Sequence, residues 1–116
     1  MDAAQMFGHC AEITEVAMGK ELQGTPFLIR LIAPLIRRSV LSEKPYTKNS
    51  PTHPQYVYAD PVEFEEQKTR LLAVLHRLRD EGPRPYRHTL FGSMSPEESG
   101  WVGYKHLDHH LQQFGV

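Results

Sequence analysis

The sequence predicts an all-α fold, a small helix bundle whose helices are joined by long connections. Two observations carry this prediction: apolar residues recur at helical spacing in several segments, and two of those segments begin with a pair of capping residues. No pair of segments has the pattern of paired strands, and no internal repeat is present. A chain of 116 residues is expected to form a single domain, residues 1–116.

The first helix is expected over residues 2–22. Asp2 can cap its N-terminus while the side chain of Gln5 reaches back to the backbone of the cap. Gly24 and Pro26 then close the segment. Apolar residues recur at helical spacing within it: Met6, Cys10, Ile13 and Ala17.

The next two segments differ in character. The apolar stretch "PFLIRLIAPLIRRSVL" predicts one or two short helices, because Pro34 breaks a helix or kinks it. The following "SEKPYTKNSPTHPQYVYA" contains several prolines and little periodicity. It is therefore expected to be a long, ordered excursion over the surface.

Two further helices follow from strong start signals. Asp60, Pro61 and Glu63 supply a cap, a proline at the first helical position and an acidic first turn, and Gly82 ends that helix. Its apolar stripe consists of Phe64, Leu71, Leu75 and Leu78. After another loop, a second capping box, Ser95 with Glu98, begins the last helix.

Composition excludes several classes of function. The 13 basic residues nearly balance the 14 acidic ones, so no nucleic-acid partner is expected. The single cysteine, Cys10, rules out an intramolecular disulfide and suits a reducing cytoplasm. The N-terminus has no secretory signal pattern, and the most apolar run is interrupted by Arg30 and Pro34, so no membrane association is expected.

The C-terminal stretch "YKHLDHHLQQFGV", residues 104–116, contains three histidines. His106 and His110 are one helical turn apart and could point nitrogens at one ion, whereas His109 lies a little round the helix. The HxxxH motif alone is weak, because it lacks the glutamate of HExxH metalloproteases. It also lies nearly opposite the helix's apolar face, where histidines are more often solvated. That face is formed by Tyr104, Leu107, Leu111 and Phe114.

A second histidine candidate is His9 on the first helix, spaced with Ile13 and Val16. It could face the HxxxH pair across a helix pair, although an isolated histidine beside an apolar stripe is more often a satisfied core residue. Cys10 adjoins it, but neighbours on a helix diverge by about 100°, so Cys10 is expected in the core rather than at the ion.

Taken together, "QMFGHC", "HTLFGSMSPEE" and "YKHLDHHLQQFGV" resemble the DinB-like superfamily of bacterial helical bundles, in its domain-of-unknown-function branch ending in a KHLDHHLxQFG-type signature. The resemblance covers essentially the whole chain. It implies an up-down four-helix bundle and a divalent metal ion bound by His9, His106 and His110. It also implies a reaction at an open metal position, since some relatives transfer or isomerise small thiols such as mycothiol or bacillithiol.

The sequence departs from this family pattern in two places. The family's usual first helix precedes the "QMFGHC" segment, and here Met1 stands just ahead of it, so the bundle is expected to lack that helix. An exposed apolar groove would result, which predicts a homodimer or a swapped element. In "EESGWVGYKH", Ser99 stands where tryptophan is expected and Trp101 comes two residues later.

The resemblance leaves the chemistry open. Zinc and nickel both suit imidazole ligands. Glu12 and Asp108 are candidate general bases, although each is more often a solvated helix residue. Gln112 and Gln113 are candidates for orienting a ligand histidine from behind. The remaining histidines, His53, His76 and His88, are expected at the surface, with a positional role for His88 in its loop.

Three hypotheses of function follow. The first is a mononuclear metalloprotein, a transferase or hydrolase acting on a small thiol or similar molecule. The second is a non-catalytic helical module that self-associates, with its histidines empty or structural. The third and weaker one is a binder of nucleic acid or membrane surfaces through Arg30, Arg37 and Arg38, or of an anion through the Arg37 and Arg38 pair.

Overall fold

The computed structural model describes residues 1–46, 52–82 and 86–116, and four α-helices account for most of them. The helices are α1 (Ala3–Ala17), α2 (Phe27–Leu41), α3 (Phe64–Glu81) and α4 (Pro96–Gln113). A short 3₁₀ helix, Pro54–Tyr56, lies between α2 and α3. The predicted helical class is confirmed. Residues 47–51 of the predicted surface excursion lie outside the described residues.

The expectation that no strands pair is wrong, because two short strands form an antiparallel hairpin between α3 and α4. They are β1 (Tyr86–His88) and β2 (Gly92–Met94), with His88 paired to Gly92 and Tyr86 to Met94. Strands of three residues are too short to show an alternating pattern. Gly92 adopts φ 72°, the left-handed conformation that glycine enters without steric cost at the end of such a turn.

The capping boxes at both ends of the chain form as predicted. The Asp2 carboxylate accepts from the Gln5 amide at 2.8 Å, and the Ser95 hydroxyl accepts from the Glu98 amide at 3.1 Å. These contacts fix where α1 and α4 begin. The positions of His9 along α1 and of His106 and His110 along α4 are fixed by these helix starts.

Two predicted helix boundaries shift. Helix α1 ends at Ala17 rather than residue 22, because Gly19 turns the chain with φ 111°. Helix α3 begins at Phe64 rather than after Asp60. The backbone carbonyl of Asp60 accepts instead from the side chain of Gln5, which ties this segment to the start of α1.

Helix α1 is the centre of the fold. It packs most extensively against α3 and also contacts α4, while α2 contacts α4. The main core joins α1 to α3 and includes Leu107 and Leu111 of α4 at its edge. Its buried members are Met6, Cys10, Ala11, Leu71 and Val74.

Helix α2 runs unbroken through Pro34 and is the most loosely packed helix. Only Ile29 and Ala33 are buried among its residues. Large apolar side chains on it are strongly exposed, with Phe27 at 78 %. Among the described residues, no helix combines the length and the apolar character that a membrane crossing requires. The expectation that the family's usual first helix is absent stays a prediction.

Candidate metal centre

Three histidines from the two ends of the chain converge at one point between α1 and α4. The Nε2 atom of His9 lies 2.9 Å from that of His106 and 3.1 Å from that of His110, and the last two are 3.1 Å apart. His9 and His110 are buried and His106 is partly buried. These three side chains could together hold a metal ion.

The helices place these side chains through ordinary helical geometry. Met6 and Cys10 turn one face of α1 toward α3. His9 precedes Cys10 by one residue, which rotates its side chain by about 100° toward α4. His106 and His110, four residues apart, lie one above the other and meet it from the opposite side.

The predicted orientation of α4 is wrong in one respect. Leu107 and Leu111 pack against the core as expected, but Tyr104 is 65 % exposed and Phe114 is also exposed. The face that carries His106 and His110 is covered by α1 instead of by water. A single helix wheel cannot show this, because a neighbour can cover either face.

Hydrogen bonds to the outer ring nitrogens determine which nitrogen faces the cluster. The Nδ1 of His9 donates to the backbone carbonyl of Tyr56 at 2.8 Å, and the Nδ1 of His110 donates to the Oε1 of Gln113 at 2.9 Å. In a neutral imidazole only one nitrogen carries hydrogen. The Nε2 atoms of His9 and His110 therefore present lone pairs toward each other.

This arrangement fits a cation. Two facing lone pairs 3.1 Å apart repel unless a proton or a positive ion lies between them. A hydrogen on the Nε2 of His106 could point toward only one of them at good geometry. A tetrahedral ion with bonds of 2.0–2.1 Å needs its ligand atoms about 3.4 Å apart, a spreading of only a few tenths of an ångström here.

Burial keeps the cluster neutral. Burial lowers the pKa of His106 well below its usual 6.5, and the neighbouring His9 and His110 lower it further. Burial also lowers the pKa of His110 to about 4 and lowers that of His9, although the bond to Tyr56 opposes the latter shift. Near neutral pH all three rings are therefore uncharged and able to act as ligands.

The histidine cluster forms part of the wall of a cavity of about 720 Å³. Side chains from α1, α2, α4 and the hairpin line it, and most of its surface is apolar. Cavities of this size hold drug-sized molecules. A small molecule could therefore reach the histidines.

Glu12, a candidate general base, belongs to an ion-pair network behind the site. Glu12 is 5 % exposed, and its carboxylate contacts Lys20 at 2.7 Å and the guanidinium of Arg70. Burial raises its pKa, but the hydrogen bonds from Lys20 and Gln55 and both positive charges outweigh that effect and lower it. Glu12 does not line the cavity and joins α1 to α3 and to the 3₁₀ helix.

The second candidate base, Asp108, also lies away from the cavity. Its carboxylate accepts from Gln112 at 2.8 Å on the outer side of α4. Of the two glutamines predicted to orient a histidine, Gln113 contacts the ring of His110, whereas Gln112 contacts Asp108. Gln113 additionally places its Nε2 3.3 Å from the Nε2 of His109.

Two histidines expected at the surface are buried, so that prediction is wrong for both. His53 is 2 % exposed, caps the 3₁₀ helix by accepting from the Gln55 amide at 3.0 Å, and contacts the hydroxyl of Thr25. His88 accepts from the Leu90 amide at 3.0 Å, and burial lowers its pKa to about 4. His88 does hold its loop, as expected.

Three other predictions have simpler outcomes. His76 is exposed on α3 as expected. Cys10 is a core residue as expected, and burial raises the pKa of its thiol to about 12. Arg37 is committed to the carboxylate of Glu98 at 3.1 Å, so it is not held ready for an external anion.

Two residues beside the histidine cluster are not among the candidates that the sequence suggests: Tyr46 and Lys105. The ring of Tyr46 lies 5.0 Å from that of His109 and 6.4 Å from that of His106. The ammonium of Lys105 lies 4.5 Å from the Tyr46 ring centre and donates to the carbonyls of Ser39 and Ser42 at 2.8 Å. The sequence around Lys105 signals these contacts only by its position directly before His106.

Comparison with protein-family models identifies the family of this chain. A family model described as the DinB superfamily matches residues 2–114. No curated protein and no solved structure matches the chain significantly.

Proposed function

The chain belongs to the DinB superfamily, and from that premise we propose that it binds one divalent metal ion through His9, His106 and His110. We further propose that it acts there on a small molecule, as a transferase or hydrolase whose substrate is a thiol or a similar compound. The family model covers 113 of the 116 residues, so the premise applies to the whole chain.

The observation that carries the proposal is the convergence of three neutral imidazoles with their Nε2 atoms 2.9–3.1 Å apart. Two of these rings are held by outer partners, the carbonyl of Tyr56 and the amide of Gln113. Metal-binding histidines use such partners to fix ring orientation and tautomer. A cluster that served only packing would not need facing lone pairs.

When bound, a zinc-type or nickel-type ion with three imidazole ligands keeps a coordination position for water or a substrate thiol and lowers the pKa of that group. The chain's own residues supply position and surroundings. Tyr56 and Gln113 hold two of the rings, and the apolar wall limits the water around the third, His106. The buried free thiol of Cys10 is consistent with the further proposal that the protein works in the reducing cytoplasm.

The test is elemental analysis of the untagged protein beside single alanine variants. We expect about one zinc or nickel ion per chain, lost in His106→Ala and in His110→Ala. His109→Ala is the matched control, because it removes the same side chain from the adjacent position of α4. His76→Ala removes a histidine from the exposed face of α3 and should also retain the metal.

Two results would contradict this proposal. One is absence of metal from the wild-type chain even after reconstitution with each ion. The other is equal loss of metal from His109→Ala and His110→Ala, which would mean that the metal does not distinguish His110 from its neighbour His109.

The alternative function is a self-associating helical module, and one observation favours it. Helix α2 carries four strongly exposed apolar side chains at i, i+1, i+4 and i+8, of which the last also lies at the edge of the cavity: Phe27, Leu28, Leu31 and Leu35. Such a face is typical of an interface. A homodimer through α2 would show in analytical ultracentrifugation, and the Leu31→Lys variant should then be monomeric while Leu72→Lys on α3 should not.

A further inference from the structure

We infer that the cavity beside the histidines selects an uncharged molecule with an apolar body, in preference to an anionic thiol. The inference deepens the proposed function and rests on it for the donor end of the ligand, which would meet the histidines. The preference for an apolar body follows from the cavity wall alone.

The cavity wall is apolar on three sides. Helix α1 contributes Ile13 and Ala17, helix α2 contributes Ile32 and Ile36, and the hairpin turn contributes Leu90 and Phe91. A volume of about 720 Å³ lies within the roughly 300–1,000 Å³ range of small-molecule sites. The wall can therefore remove an apolar group of drug-like size from water, which favours binding in proportion to the apolar area buried.

No aspartate, glutamate, lysine or arginine is among the described residues that line this cavity. Met1 also lines the cavity, but it is 60 % exposed, so water screens the charge of its amino group. Two basic side chains that adjoin lining residues in the sequence are paired elsewhere: Arg37 with Glu98, and Lys105 with two backbone carbonyls at the end of α2. A carboxylate or phosphate held against the apolar wall would lose hydration without gaining an ion pair from the described side chains there. Burial of an unpaired charge is strongly unfavourable.

Polar groups in the wall are also largely satisfied within the chain. The hydroxyl of Thr14 donates to the carbonyl of Cys10 at 2.7 Å. His53 contacts Thr25 and the Gln55 amide, and His88 accepts from the Leu90 amide. The polar contacts open to a ligand are therefore concentrated at the histidine end, which gives the cavity one polar end and one apolar body.

The experiment compares three probes of similar length by isothermal titration calorimetry: 1-hexanethiol, 1-hexanol and 6-mercaptohexanoate. Each is titrated into metal-loaded and metal-free protein, whose metal content is measured separately. In the metal-free protein we expect both uncharged probes to bind about tenfold or more tightly than the anionic one, because no described side chain of the wall offers the carboxylate an ion pair. A preference for hexanethiol over hexanol should appear only in the metal-loaded protein.

A charge introduced into the wall provides a second, independent readout. Ile36→Lys places an ammonium group at the cavity wall and should shift the preference toward 6-mercaptohexanoate. Leu72→Lys is the matched control, because Leu72 is exposed on α3 and does not line the cavity. Circular dichroism of both variants checks that the helices are retained.

The outcomes separate the two proposals. Equal or tighter binding of 6-mercaptohexanoate to the metal-free wild-type protein overturns the inference. Failure of every probe to bind, with the chain a dimer in ultracentrifugation, also overturns it and assigns the apolar wall to an interface between two copies. Selective binding of the uncharged probes to a chain that takes up no metal supports the inference on the cavity and refutes the proposed metal function.

Discussion

Replacing Gln113 by leucine should weaken metal binding, although Gln113 is not itself a proposed ligand. Its Oε1 accepts from the Nδ1 of His110 at 2.9 Å, and this contact directs the Nε2 lone pair of that ring into the cluster. Without it, the ring can rotate or adopt the other tautomer. Loss of one hydrogen bond of this kind costs about 1–2 kcal/mol, which corresponds to roughly fivefold to thirtyfold weaker binding.

The neighbouring glutamine offers a matched control. Gln112 bonds to Asp108 on the outer side of the helix at 2.8 Å, so Gln112→Leu should leave metal affinity within about twofold. The assay is competition for zinc against a chromophoric chelator at constant pH and ionic strength. Equal weakening by the two substitutions, or none by Gln113→Leu, would refute the role assigned to this contact.

Three further predictions concern stability. A Cβ at Gly8 would lie 2.7 Å from the ring of Tyr58, so Gly8→Ala should lower the free energy of unfolding by about 1–3 kcal/mol. At Gly103 the new methyl would meet no atom within 4 Å apart from its chain neighbours and the backbone of its own helix, so Gly103→Ala should raise the free energy of unfolding by about 0.5–1 kcal/mol. Urea denaturation that ranks the two variants otherwise would contradict the packing. Lys105→Met should cost about 2–3 kcal/mol by the same measurement, because two carbonyls at the end of α2 lose a charged donor, while Lys68→Met on exposed α3 should cost little. His88 has a folded pKa of about 4 against 6.5 when unfolded, so the unfolded chain binds more protons between these values and stability falls as pH falls through them. The loss is about 2 kcal/mol between pH 7 and pH 5, and His88→Asn, which cannot be protonated, should lack that share of the pH dependence.

The sequence was a good guide where contacts are local. Both capping boxes formed as predicted, and Gly82 ended α3 with φ 74°. Such signals act over three or four residues, so they hold whatever the helix packs against. The HxxxH spacing belongs to the same class, because helical geometry alone brings His106 and His110 to one side.

Predictions that depended on distant partners were less reliable. His53 caps the 3₁₀ helix and His88 ends β1, and both are buried although their local sequence carries no periodic apolar pattern that would predict it. The sequence leaves Glu12 open between a general base and a solvated helix residue, whereas in the fold its carboxylate pairs with Lys20 and with Arg70, 58 residues along the chain. The difference between Gln112 and Gln113 likewise depends on the direction of each side chain relative to α1.

The sequence by itself determined the helical class, the helix starts at Asp2 and Ser95, and the residues able to serve as ligands. The resemblance of its motifs to the DinB-like superfamily selected His9 as the third member of the set. Only the tertiary structure decided that the three rings meet, which nitrogen each presents, and that an apolar cavity adjoins them. The physical reason is that α1 and α4 are about 100 residues apart along the chain, so their approach depends on packing, whereas caps and helical spacing depend on neighbouring residues.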